Sequence, residues 1–252
     1  KVGVTNYPVI SEFIDKYCAN LDQAKAYYPE EEVLAFLVEN IRRFKPEVII
    51  GHDLDGEYGH GAHILNATVL SGQALSAAND PAQFPESLAK YGVWETKKCY
   101  LHLYQENEIF MDWKSMSLSA FGGINAYDMA QAGFNEHVSQ RTFFSMSLEN
   151  RARYGNGLFG LYSSTVGPDV LKNDFLENIP AECLSDWVPP EPDLPATDTE
   201  LENYPSSDSD SSETMLQSNV VQSDSPKWVI IVSAVFGVAG LVSIVGSIIL
   251  FH

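Results

Sequence analysis

Between Asp186 and Pro226 the chain carries ten Asp or Glu residues, no Lys or Arg, and a high density of Ser and Pro. Such a stretch cannot bury enough apolar surface to offset the entropy of ordering it, so it reads as a solvated linker. Directly beyond it, Trp228 to Leu250 is a run of 23 residues without a charged residue, Asn, Gln or Pro. As a helix, at about 1.5 Å per residue, the run spans roughly 34 Å, against about 30 Å for a bilayer's hydrocarbon core. Any globular core of the 252-residue chain is therefore confined to residues 1–185, a length that suits one domain. The expected organisation is a folded domain over 1–185, a disordered acidic Ser/Pro-rich linker over 186–227, and one transmembrane helix over 228–250.

The net charge of −19 is divided between these parts, with 14 Lys or Arg against 24 Asp or Glu in residues 1–185. No basic stripe accompanies it, which excludes nucleic acid as a partner, because phosphate neutralisation needs clustered Lys and Arg. Cys18, Cys99 and Cys183 are odd in number and far apart, giving neither a CxxC pair nor a disulfide framework. Lys227 is the only basic residue flanking the apolar run, and an acidic, Lys-poor linker is unlike a cytoplasmic positive-inside loop. The expectation is a single-pass membrane protein whose folded domain lies outside the cytoplasm. Nothing in the pattern fixes an oligomeric state.

Within 1–185, Ile10, Phe13, Ile14, Tyr17, Leu21, Ala24 and Tyr28 recur at helical spacing and predict a helix over 10–28. A second helix opens at Pro29 with Glu30, Glu31 and Glu32, carries Val33, Leu34, Leu37, Ile41 and Phe44 on one stripe, and stops at Pro46. Arg42, Arg43 and Lys45 sit at its C-terminal end, where the dipole favours cations. Glu47-Val48-Ile49-Ile50-Gly51 then reads as a buried parallel strand, His60 to Ala78 as a helix, Lys97 to Tyr104 as a strand and Ala126 to Gln140 as a further helix. Gly155, Gly157, Gly160 and Gly167 mark a loop-rich end. Helix, buried strand, loop and helix in succession is the α/β pattern, in which ligands collect beyond the carboxyl ends of strands.

The residues at that position are the densest polar group in the chain: His52-Asp53-Leu54-Asp55-Gly56-Glu57-Tyr58-Gly59-His60-Gly61-Ala62-His63. With a helix starting near His60, the imidazoles of His60 and His63 share one side of its first turn. Neutral imidazole is a common zinc ligand, and a catalytic zinc takes three protein ligands plus water, so this pair alone does not complete a site. His52 is placed to orient the loop or to act as a ligand; His102 and His137 are candidates for lining a pocket. Trp94, Tyr100, Tyr104 and Trp113 serve either sugar stacking or the core.

The segment Gly51 to His63 resembles the second signature of the PIG-L/LmbE-like deacetylases, typically Thr-His/Tyr-Asp followed by Gly-x-Tyr-Gly-His-Pro-Asp-His. Weaker similarity continues through Tyr100 to Tyr104 and Gly133 to Gln140, so that it covers roughly Arg42 to Ile179. The resemblance implies a Rossmann-like α/β fold and a Zn2+-dependent hydrolase that removes acetyl groups from N-acetylglucosamine-type sugars or glycoconjugates. It implies that His63 is a metal ligand, that His60 stabilises charge at the reacting carbonyl or protonates the leaving amine, that Tyr58 donates to the oxyanion, and that Asp53 supports the loop. Two departures stand out. The family's Pro-Asp between the histidines is Gly61-Ala62 here, leaving His60 without its usual carboxylate partner. The family's first signature, Ala-His-Pro-Asp-Asp-Glu, which supplies two metal ligands and the general base, is absent from the chain, so the N-terminal part of the fold is expected to be missing. The alternative is a non-catalytic, membrane-tethered carbohydrate-binding module in which that site has decayed.

Overall fold

Asn20 opens the first helix, α1 (Leu21–Tyr27), by accepting the Gln23 N–H on its side chain at 3.0 Å. The acidic first turn and apolar stripe that follow form α2 (Glu30–Phe44), which ends at Lys45 in the left-handed conformation. Pro46 then leads into β1 (Val48–Gly51), buried throughout. The computed structural model describes residues 9–14, 16–55, 60–115, 117–136, 138, 156–180, 227–231 and 249–251. Its remaining regular elements are α3 (Gly61–Val69), a π-helical turn Leu70–Ala74 that joins α3 to α4 (Leu75–Asn79), α5 (Pro85–Tyr91), β2 (Lys98–His102), β3 (Glu108–Phe110), a 3₁₀ turn Ser119–Phe121, α6 (Ala126–Phe134), β4 (Leu158–Ser164), β5 (Lys227–Ile231) and β6 (Ile249–Phe251).

The strands form one mixed sheet in the order β3-β4-β2-β1-β5-β6. β1 runs parallel to β2 and to β5, whereas β4 is antiparallel to both β2 and β3. Ile49, Cys99 and Leu101 face the helical layer and meet Leu37, Ile41, Leu65 and Leu70. Val48, Ile50 and Tyr100 belong to a second apolar cluster with Ile109, Leu161 and Phe175. The mixed α/β architecture agrees with the expected class.

Arg42 ties the helical layer together. Its side chain is fully buried and donates to the carbonyls of Ala77, Ala78, Asp80, Gln83 and Phe84 and to the Ser87 hydroxyl, at 2.8 to 3.1 Å. A desolvated guanidinium is tolerable only when its donors are met in this way. On the sheet's other cluster, Lys98 Nζ lies 2.6 Å from Asp169 Oδ1 and 2.9 Å from the Glu177 carbonyl, and the Tyr100 hydroxyl donates to the second Asp169 oxygen. Glu177 in turn accepts the N–H groups of Val170, Leu171 and Lys172, so the segment after β4 is fastened from both ends.

Several expectations are corrected. The helix predicted over 10–28 is present only as α1, and the described residues before Asn20 form an irregular strap. The Tyr28 hydroxyl explains the difference: it accepts the Lys16 N–H at 2.9 Å and lies 2.9 and 3.1 Å from the carbonyls of Ile14 and Lys16, holding groups that a helix would otherwise pair. The glycine-rich end expected to be loops contains β4, where Gly160 lets the Tyr104 carbonyl approach to 2.2 Å of the place a Cβ would occupy. The helix expected over 126–140 stops at Phe134. Of the apolar run 228–250 only the two ends are described, as β5 and β6, with Val229, Ile230 and Ile231 registered against Val48, Ile49 and Ile50; the rest of the run, on which the expected transmembrane helix depends, lies outside the described residues. Among the described residues no helix is long and apolar enough to cross a membrane; residues 232–248 and the 186–226 linker lie outside them.

Arg42→Lys retains the charge but cannot reach several carbonyls at once. A loss of roughly 3 kcal/mol of unfolding free energy is expected, as for a buried charge left partly unpaired. Urea unfolding followed by circular dichroism measures it, with Arg42→Met expected to lose a comparable amount.

Candidate active site

β1 delivers His52 and Asp53 at its carboxyl end, and α3 begins a few residues later with His60 as its N-cap. Neither Ser, Thr, Asp nor Asn occupies that cap. The imidazole replaces them, with Nδ1 accepting the Ala62 N–H at 3.2 Å. A ring that accepts at Nδ1 carries its neutral-form proton on Nε2, which makes His60 a donor through that nitrogen. His63 stands on the first turn of α3, and its ring stacks on His60 with centroids 4.9 Å apart and planes 18° apart. On its other side His63 stacks on His52, with centroids at 4.3 Å and planes within 2°. The half-exposed Tyr17 meets His60 edge to face at 5.1 Å, so four rings form a column running inward from the surface.

Burial controls the electrostatics of this column. His52, His60 and His63 are 7%, 5% and 9% exposed. Desolvation lowers the His63 pKa to about 2, reinforced by repulsion from His52 and His60, and lowers that of His52 to about 4 against the opposing pull of Asp53. Both rings are therefore neutral at physiological pH. Asp53 is half-buried; desolvation raises its pKa, while the backbone N–H groups of Asp55 and Leu54 bond its carboxylate and pull the other way. Tyr58 and His137 lie outside the described residues.

The geometry also tests a metal. An imidazole binds an ion in its own plane, so two stacked and nearly parallel rings cannot share one. His52 and His63 are therefore not co-ligands in this arrangement, and neither are His60 and His63. Among the described residues no group of three or more His, Cys, Asp or Glu is placed to hold a metal ion. The column offers one imidazole ligand and does not by itself fit a metal centre.

His102 is brought closer to this site than its sequence setting implied. Gly51 is registered with Leu101, so His52 and His102 are the next residues of two adjacent parallel strands. His102 is buried and its ring lies against Phe159 at 5.3 Å. The candidate aromatics serve the scaffold: Trp94 Nε1 donates to the Pro46 carbonyl, Trp113 Nε1 to that of Asn156, Tyr100 lies in the core and Tyr104 packs on Tyr162. Sequence reasoning missed Tyr17, whose helical spacing concealed a place on the strap.

The strap also accounts for the departures from the deacetylase signature. The Gly61 N–H donates to the Cys18 carbonyl at 2.6 Å, a bond that proline cannot make. A Cβ at Gly61 would lie 2.0 Å from the Asn20 carbonyl oxygen. Ala62 is fully buried in the main apolar cluster, where an Asp would place a carboxylate among hydrocarbon. Gly61 and Ala62 thus both fit this chain's packing.

No protein-family profile matches the chain. Among curated proteins it is similar to a 1D-myo-inositol 2-acetamido-2-deoxy-alpha-D-glucopyranoside deacetylase 1 of Catenulispora acidiphila, 25% identical over 162 residues, 58% of this chain and 49% of that one. It is also similar to the deacetylase of that name from Geodermatophilus obscurus, 35% identical over 81 residues, 31% of this chain and 26% of the relative. A third, deacetylase 2 of Frankia casuarinae, is 36% identical over 70 residues, 28% of this chain and 21% of the relative. All three similar proteins are named as deacetylases of an acetamido sugar carried on inositol. The chain spans about half the length of the first of these curated proteins and less of the other two.

Gly61→Ala tests the strap's hold on the site. The added methyl group meets backbone, which cannot swing aside as a side chain would, so about 2 kcal/mol of destabilisation is expected. Thermal unfolding reads the loss. The His60 imidazole signals should shift with it, because the strap carries Tyr17 against that ring.

Proposed function

We propose that the protein is an N-deacetylase that hydrolyses the acetamide of an N-acetylglucosamine-type sugar or glycoconjugate. The observation that carries this reading is His60 capping α3 beside His63 at the carboxyl end of β1, within a segment that resembles the deacetylase signature. The relatives' names supply the substrate class, an acetylated glucosaminyl inositol. In the reaction, water adds to the acetyl carbon, the C–N bond breaks, and acetate and a free amine result.

The role of His60 follows from its cap. Its Nδ1 is engaged by the Ala62 N–H, and it stands at the positive end of a helix, where an imidazolium is disfavoured. In this reading His60 stabilises the substrate carbonyl oxygen through Nε2–H as that oxygen gains charge. Tyr58 is proposed as a second donor and Asp53 as the support of the loop between them. Zn2+ is the cofactor of this reading, with His63 as one ligand; His63 does not complete a centre alone, and the resemblance puts two further ligands in the signature that is absent from the chain. Turnover separates this reading from the non-catalytic carbohydrate-binding alternative, which predicts sugar binding without release of acetate.

His60→Asn in the full-length protein keeps a capping side chain and removes the ring. Stability and zinc content should stay near wild type while kcat falls by roughly 10², the usual loss for a deleted oxyanion donor. His63→Ala should lose zinc and turnover together. Metal analysis alongside kcat decides; zinc lost from His60→Asn and kept by His63→Ala would reverse the two roles.

We further propose that the apolar run anchors the protein in a membrane by a single span, with the folded domain extracytoplasmic. Its length and lack of charge support this, and the same residues cannot at once serve as β5 and β6. The chain should stay in the pellet after alkaline carbonate extraction, and protease added to intact cells should release the domain by cleaving within 186–226. Release into the carbonate supernatant would assign the run to the sheet edge.

A further inference from the structure

The strap that crosses the start of α3 is held on both sides of a single aromatic residue. On one side, the buried Tyr28 hydroxyl accepts the Lys16 N–H and shares its own proton between the carbonyls of Ile14 and Lys16. On the other, the Cys18 carbonyl accepts the Gly61 N–H at 2.6 Å, and the Ala19 N–H donates to Gln23 Oε1 at 2.9 Å. Cys18 itself is fully buried. Tyr17 lies between the two anchors, so its backbone is fixed, yet its side chain is 47% exposed. It is also the outermost ring of the column, edge to face with His60 at 5.1 Å.

Fixing a backbone on both sides costs conformational entropy of about 1–2 kcal/mol per residue. Core packing does not account for that outlay at Tyr17, because half of its surface is left in water. An aromatic body with a polar tip, held rigid at the rim of a site, is what a ligand with both apolar and hydroxylated faces requires. A pyranose ring is such a ligand: its C–H groups pack on an aromatic face while its hydroxyls seek hydrogen bonds.

We propose that Tyr17 is a specificity-determining residue, its ring forming one wall of the sugar subsite and presented beside His60 by the strap that Tyr28 and Gly61 hold in place. The proposal rests on the deacetylase reading above. It places the sugar ring against the half-exposed tyrosine when the acetamide carbonyl reaches His60. Gly61 belongs to the same device, because a residue with a Cβ or without an N–H would release the strap.

The test measures turnover and calorimetric binding of methyl N-acetylglucosaminide by the full-length protein and its Tyr17 variants. Tyr17→Ala should raise KM about tenfold with kcat within about twofold, the signature of a lost binding contact rather than a lost catalytic group. Tyr17→Trp, which keeps an aromatic face, should hold KM near wild type, whereas Tyr17→Leu, which keeps only bulk, should not. The thermal midpoints of all three variants should stay close to wild type. An unchanged KM for Tyr17→Ala, or a wild-type KM for Tyr17→Leu, overturns the proposal. If the wild type binds the sugar without turning it over and Tyr17→Ala abolishes binding, the wall stands and the deacetylase reading falls. If the wild type neither binds nor turns over the sugar, both fall.

Discussion

The guanidinium of Arg42 donates to five carbonyls between Ala77 and Phe84 and to the Ser87 hydroxyl, so the end of α4, the turn beyond it and the first turn of α5 are all positioned by one side chain of α2. The influence reaches the site because α4 continues from α3 through the π-helical turn Leu70–Ala74. His60 and His63 thus ride at the far end of a helical rod whose other end Arg42 fixes. Gly51 allows the rod to lie close to the sheet: a Cβ there would come within 2.9 Å of the Leu70 side chain. An anchored end and a close approach together set where the histidine column meets the carboxyl edge of β1.

The sheet's second cluster is organised by a different principle. Lys98 and Asp169 are both buried, and their pairing is completed by the Tyr100 hydroxyl and the Glu177 carbonyl. Removing two charges from water offsets much of what their attraction returns, so such a group contributes uniqueness of arrangement as much as stability. Here it specifies one position for the segment that follows β4. The helical face relies on aliphatic packing around one hydrogen-bonded cation, whereas this one relies on an ion pair set among aromatic rings.

Much of the fold could be read from local signals. The acidic first turn and apolar stripe of α2, the short apolar run of β1 and the polar burst beyond it are each encoded within a dozen residues, and the structure has them where the pattern predicts. The spacing of His60 and His63 likewise put both rings on one side of a helix start. What escaped the sequence depends on contacts between distant segments. The apolar period from Ile10 to Tyr17 imitates a helix, but the Tyr28 hydroxyl claims the backbone groups that a helix would use. β4 was obscured by glycines, one of which exists to admit the Tyr104 carbonyl. The parallel stacking of His52 on His63 has no signature at all, since it arises only when strand end and helix start are brought face to face.

The contact of Gly61 with Cys18 and Asn20 also shapes how this chain can change. Its relatives' signature has proline at the equivalent place, and a single substitution toward it would remove the N–H that Cys18 accepts and drive a ring into the Asn20 backbone. If the strap moved away, the Gly61 N–H would pass to water, as the first N–H groups of a helix commonly do. The dependence thus runs one way: a residue with an N–H and no Cβ is required at position 61 for as long as residues 18–20 lie across the start of α3. A substitution at position 61 is therefore felt at Tyr17, on a segment far from it in the chain, because the strap that Gly61 holds is the strap that sets that ring against His60.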